Sequence, residues 1–120
     1  MAWLVHDGTV LASLERATTL RRRLVGLLGQ KEYDGALLID KTKGVHTIGM
    51  KFPIDVAFLD KDMRVIRIVT LPQHRFSRFE RSATCVVETA AGRFRHWKVE
   101  AGDQLEIRGE LTVDGDHPDG

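Results

Sequence analysis

The order of apolar and polar positions predicts a β-rich domain with one good helix. AWLV and TVLASLERA read as strands, and the HDG between them carries the Asp7-Gly8 pair that favours a tight hairpin turn. In TTLRRRLVGLLGQ the pattern changes period. Thr18 or Thr19 can cap an N-terminus, and Leu20, Leu24, Leu27 and Leu28 fall at i, i+4, i+7 and i+8. This predicts an amphipathic helix that Gly29 can end. Gly26 inside it costs about 1 kcal/mol relative to alanine, as a close helix–sheet approach would require.

Further strands are expected at ALLID, GVHTIGM, IDVAFLD, VIRIVTL, TCVVETA and QLEIRG. GVHTIGM and IDVAFLD form a hairpin in this reading, turning through Lys51, Phe52 and Pro53. KDMR is a polar turn, QHRFSRFERS a loop, and AAGRFRHWKVEAGD contains a short helix or turn. Strands joined by short turns point to an antiparallel arrangement. The expected fold is α+β: a mostly antiparallel β-sheet curled into a small barrel, with one amphipathic helix and a short second helix. Residues 1–109 form a single globular domain, and 110–120 a mobile acidic Gly/Asp/Pro tail in which only ELTV has strand character.

Length and composition agree with this picture. The 120 residues suffice for one core, and 42% hydrophobic with 29% charged residues is ordinary for a globular chain. A net charge of +1 gives no whole-chain attraction to nucleic acid or to an anionic membrane. Asp7 and Gly8 interrupt the first residues, which lack the form of a secretory signal, and no later apolar run approaches the roughly 20 residues of a membrane span. The single cysteine, Cys85, excludes an internal disulfide and reads as a small core residue in a strand. A cytoplasmic location is expected.

The chemistry concentrates in GVHTIGMKFPID, Gly44 to Asp55. If Gly49 pairs with Ile54 in the hairpin, His46 shares a face with Asp55, one diagonal step away. Asp55 opens a strand buried on both sides and must find partners: His46, the Thr47 hydroxyl, turn amides or an arginine from the helix. Arg23, on the border of the leucine stripe, can reach such a carboxylate, whereas Arg22 points away. The architectural reading has Arg23 and Asp55 tie the helix to the sheet. The functional reading makes Arg23, His46, Thr47 and Asp55 a pocket for a small polar or anionic ligand. No serine, cysteine or second carboxylate in the motif offers a nucleophile. The five histidines stand singly, without the local spacing of zinc ligands, so neither a metal nor a cofactor is expected. In HRFSRFERS, Arg75 and Arg78 alternate with Phe76 and Phe79, which is the chemistry of single-strand nucleic-acid binding or of a protein contact. RFRHWK is a second basic and aromatic stretch.

The succession RLVGLLGQ, GALLID, HTIGMKFPIDVAFLD, VVETAAG and VEAGDQLEI resembles the bacterial and archaeal family called domain of unknown function 192, an uncharacterised ancient conserved region. The resemblance runs from about Ala17 to about Ile107. The helix signature of that family, R-x-x-G-L-M-like, falls on Arg23, Gly26, Leu27 and Leu28. Its sheet signature often reads F-W-M-K-N-T-x-I-P-L-D; here Val45, His46 and Thr47 replace F-W-M, and the chain matches the H-T-x-x-M-x-x-P-I-D form instead. Arg23, Gly26, Pro53 and Asp55 fit both forms and suit an architectural clamp. The resemblance implies a compact β-barrel-like domain without an established activity.

Three functions remain. The first is a binding or accessory module with a polar pocket at the HTIGMKFPID hairpin, for a small polar or anionic ligand or a protein partner. The second is a hydrolase or isomerase using His46 and Asp55 as an acid–base pair. The third, less favoured, is a nucleic-acid-associated protein acting through the arginine–phenylalanine loops.

Overall fold

The computed structural model describes residues 2–17 and 35–109 and the strand at 112–113. The amphipathic helix expected over 18–30, with Arg23 and Gly26, lies outside the described residues. Strands β1 (Ala2–His6) and β2 (Thr9–Ala17) form the expected hairpin, with His6 opposite Thr9. Asp7 and Gly8 both have positive φ, 54° and 81°, as a two-residue turn of the type that matches strand twist demands. The remaining strands are β3 (Ala36–Asp40), β4 (Ile54–Leu59), β5 (Val65–Leu71), β6 (Cys85–Ala90), β7 (Glu106–Gly109) and β8 (Thr112–Val113). One helix of four residues, α1 (Arg93–His96), lies between β6 and β7.

The sheet order is β5-β4-β6-β3-β2-β1-β7. Its neighbours are antiparallel except β2 and β3. β8 pairs parallel with Glu15 and Arg16, the part of β2 that outruns β1, so part of the expected tail joins the sheet. The central strands β3, β4 and β6 are buried on both faces, which is why they read as continuous apolar runs rather than alternations. Their alternate residues feed two clusters. Leu38, Ala57, Leu59 and Val87 join Leu4, Leu14, Val65, Phe94, Val99 and Leu105 on one face. Leu37, Ile39, Val56, Phe58 and Val86 join Met50, Leu71 and Ala83 on the other.

Two expectations are corrected. The sheet is not closed into a barrel, because the edge strands β5 and β7 share no ladder. Among the described residues, the two edges meet in a short stretch around the Arg64–Gln104 bridge, where Met63 and Val65 exchange backbone hydrogen bonds with Gly102, Asp103 and Leu105, while Phe94, Val99 and Leu105, from the segment between β6 and β7, fill the cluster reached by both β1 and β5. Side chains close that side of the core. The GVHTIGM segment is not a strand hairpinned to IDVAFLD. β4 is paired on both sides by β5 and β6, which leaves no edge for GVHTIGM to join. No helix among the described residues is long and apolar enough to cross a membrane.

Candidate functional site

GVHTIGM pairs instead with the HRFSRFE loop. The Thr47 amide donates to the Arg75 carbonyl (2.7 Å), the Ser77 amide to the Val45 carbonyl (2.8 Å) and the Glu80 amide to the Lys43 carbonyl (2.8 Å). His46 and Phe76 form an isolated antiparallel bridge, with ring centroids 5.8 Å apart. Side chains complete the lacing. The Val45 amide donates to Ser77 Oγ, and Lys43 Nζ donates to the carbonyls of Arg81 and Ala83. The expected strand and the expected loop are thus one structural unit.

Thr47 is its buried pin. Its hydroxyl donates to the Pro72 carbonyl (2.6 Å) and accepts from the Arg75 amide (2.8 Å), and its own carbonyl accepts from the amides of Met50 and His74. With its proton committed to Pro72 and the residue fully buried, Thr47 presents no hydroxyl to a ligand from solvent. Arg67 fastens the far end. Its guanidinium lies over the Phe58 ring, donates through Nε to Glu80 Oε1 (3.2 Å), and reaches the Arg78 carbonyl.

On this tied frame the side chains of His46, Ile48, Arg75 and Arg78 are exposed, and Phe76 and Phe79 stand 71% and 67% exposed. A loop with so many backbone partners has little freedom to fold its rings inward. The result is a preformed surface with two phenylalanines flanked by arginines.

Asp55 lies elsewhere in the sheet. Opposite Thr70 on β5 and Thr89 on β6, it is 2% exposed. Oδ1 accepts from the Thr70 hydroxyl (2.6 Å), and Oδ2 from the amides of Gly92 (3.0 Å) and Phe94 (3.3 Å). A carboxylate at the first turn of α1 satisfies amides that the helix cannot pair internally. Backbone amides are therefore among its partners, but from Gly92 before α1 and Phe94 within its first turn, and not from MKFP. His46 and Thr47 do not contact it. The four-residue candidate pocket is not assembled: Thr47 and Asp55 are internally bonded, His46 stands on the loop face, and Arg23 lies outside the described residues. No hydrogen bond or ion pair joins His46 to Asp55 among the described residues.

Sequence reasoning missed Thr70 and Gly92. Thr70 could have been sought as a polar position near the end of an otherwise apolar strand, and Gly92 as the turn residue of AAG. It also missed a histidine–carboxylate contact, His6 Nε2 to Asp103 Oδ2 at 3.6 Å, beside a cleft of about 710 Å3. Those residues are 97 positions apart, so no local spacing could announce them. Cys85 is buried, and its thiol is pushed up to about 11 by desolvation first and by the charge of Asp40 second. That is the opposite of an activated nucleophile. Among the described residues, no three His, Cys, Asp or Glu side chains gather as metal ligands do.

A family model, DUF192, described as an uncharacterized ACR, matches residues 2–107. Two crystal structures resemble the fold. A protein from Sinorhizobium meliloti 1021, provisionally named a transcription regulator, superposes with a TM-score of 0.73 at 24% identity, over 88% of this chain and 91% of that one. A protein of unknown function from Novosphingobium aromaticivorans DSM 12444 also has a TM-score of 0.73, at 16% identity, over 88% and 82%. At these identities the likeness concerns the fold alone. No curated protein matches the chain.

Proposed function

The chain belongs to the uncharacterized DUF192 family, and from that premise we propose that it is a binding module whose contact face is the laced pair of loops at His46–Ile48 and Arg75–Phe79. One observation carries the reading: Phe76 and Phe79 stay exposed on a loop that backbone and side-chain hydrogen bonds hold in place. Rigid display of two exposed rings leaves apolar area that a partner protein would cover with little ordering cost. Arg75 and Arg78 at the rim would favour an acidic neighbour. A cytoplasmic setting fits a single cysteine held as a buried free thiol.

Single-stranded nucleic acid is the second reading, because the same rings alternate with arginines. A net charge of +1 makes it the weaker one. A photo-crosslinking amino acid placed at Phe79 in the native cells tests both, with exposed Lys61 as the control position. A discrete protein adduct from position 79 and not from 61 is expected. A nuclease-sensitive adduct would move the function to nucleic acid, and equal or absent adducts at the two positions would remove the loop face as a contact surface.

A further inference from the structure

The edge of β5 is paired at its beginning and open beyond it. The Val65 amide donates to the Asp103 carbonyl (2.7 Å), the Gly102 amide to the Val65 carbonyl (2.8 Å), and the Leu105 amide to the Met63 carbonyl (2.9 Å). This short antiparallel pairing stops at Val65. The two segments then part around a cleft of about 840 Å3, with Arg67, Ile68 and Thr70 on one wall and residues between Gly92 and Ala101 on the other. That volume is within the range of ligand clefts.

Ladder parity says which β5 groups face the cleft. The Leu59 carbonyl accepts from the Thr84 amide on the β6 side, so Leu59, Ala57 and Asp55 direct their backbone groups towards β6. The residues opposite Ala57 and Asp55 on β5, Ile68 and Thr70, then turn their N–H and C=O groups away from β4. Among the described residues, no hydrogen bond joins the backbone of either to any segment other than β4. These are strand-edge groups inside a cleft, on the continuation of a ladder that Gly102–Leu105 has already begun.

The other wall has a sign. Arg95 and Lys98 are exposed and take part in no ion pair among the described residues, against the single carboxylate of Glu100 on that wall. Asp55 is already bonded to Thr70 and α1, and Arg67 to Glu80. Ile68 and Val99 add apolar surface between the charges.

We propose that this cleft takes an extended acidic segment of a partner protein, which adds to β5 as a further strand. Its main chain pairs with Ile68 and Thr70, and its aspartate or glutamate side chains meet Arg95 and Lys98. Strand addition draws affinity from main-chain hydrogen bonds and specificity from alternate side chains. The surface is distinct from the Phe76–Phe79 face, so the two readings fail separately.

The test is an NMR titration of the full chain with a hexapeptide of alternating valine and glutamate, and with its valine–lysine counterpart. In the free protein, the Ile68 and Thr70 amides are expected to exchange with solvent far faster than that of Val69. The acidic peptide should shift and protect those two amides, the basic one should not, and Arg95→Glu with Lys98→Glu should weaken binding at least tenfold. F76S with F79S should leave it unchanged. Slow exchange of Ile68 and Thr70 in the free chain would overturn the proposal. So would their indifference to millimolar acidic peptide, or an equal response to both peptides.

Discussion

At the scale of the residue, Asp55 shows how a polar group in a buried strand acquires its role from partners distant in sequence. Its oxygens serve one hydroxyl and two amides, and removing them strands three donors where water cannot replace the lost acceptor. Asp55→Ala should therefore lower stability by about 3 kcal/mol in urea unfolding, whereas Asp55→Asn, which keeps one acceptor oxygen, should lose clearly less. A loss below about 0.5 kcal/mol for the alanine variant would show that the carboxylate does not secure the start of α1. Cys85 gives a pH-dependent counterpart. Its folded pKa is raised, from 9.0 to about 11, so the folded chain holds the thiol proton after the unfolded chain has released it. The stability from this group is complete below pH 9 and is lost as pH rises through 11. The loss should amount to about 2–3 kcal/mol relative to Cys85→Ala measured over the same range. Coincident profiles for the two proteins would contradict the burial of the thiol.

At the scale of the element, what could be read in advance was what local pattern decides. Asp7-Gly8 fixes its hairpin because the turn needs two positive φ values and these residues supply them. ALLID and IDVAFLD were legible as strands because a run buried on both faces needs continuous apolar residues. GVHTIGM misled for the complementary reason: its alternation is strand-like, but β5 and β6 already occupy both edges of β4, and nothing local reveals that competition. The expected place of His46 beside Asp55 went with it, since it depended on that one hairpin. The short helix was legible from AAGRFRHW, and its dependence on Gly92 was not. Gly92 has φ of +89° and open space where a Cβ would stand, so only the backbone conformation resists substitution. Gly92→Ala should cost about 1–2 kcal/mol and should loosen Phe94, seen as faster exchange of the Phe94 amide. Unchanged stability would mean that the turn before α1 tolerates an ordinary residue.

At the scale of the whole molecule, the open sheet divides the structure into a centre and two unlike margins. β3, β4 and β6 contribute to both apolar clusters, so neither cluster can open without exposing side chains of the same three strands. β7 is mostly exposed, and β5 is half-buried over most of its length. The fold thus concentrates stability where the strands have two neighbours and two covered faces, and leaves β5 and the laced loops as the surfaces with groups to spare. Native-state hydrogen exchange should follow this division. Ladder amides of β3, β4 and β6 should open only with global unfolding, with a common denaturant dependence, while those of β7 and the outer half of β5 exchange through smaller openings. Denaturant should merge the two groups as it approaches the unfolding midpoint. If β5 or β7 instead exchanged with the central strands at every concentration, the sheet would be closed in solution through more than the short pairing of Met63–Val65 with Gly102–Leu105. The free edge required for strand addition would then not exist.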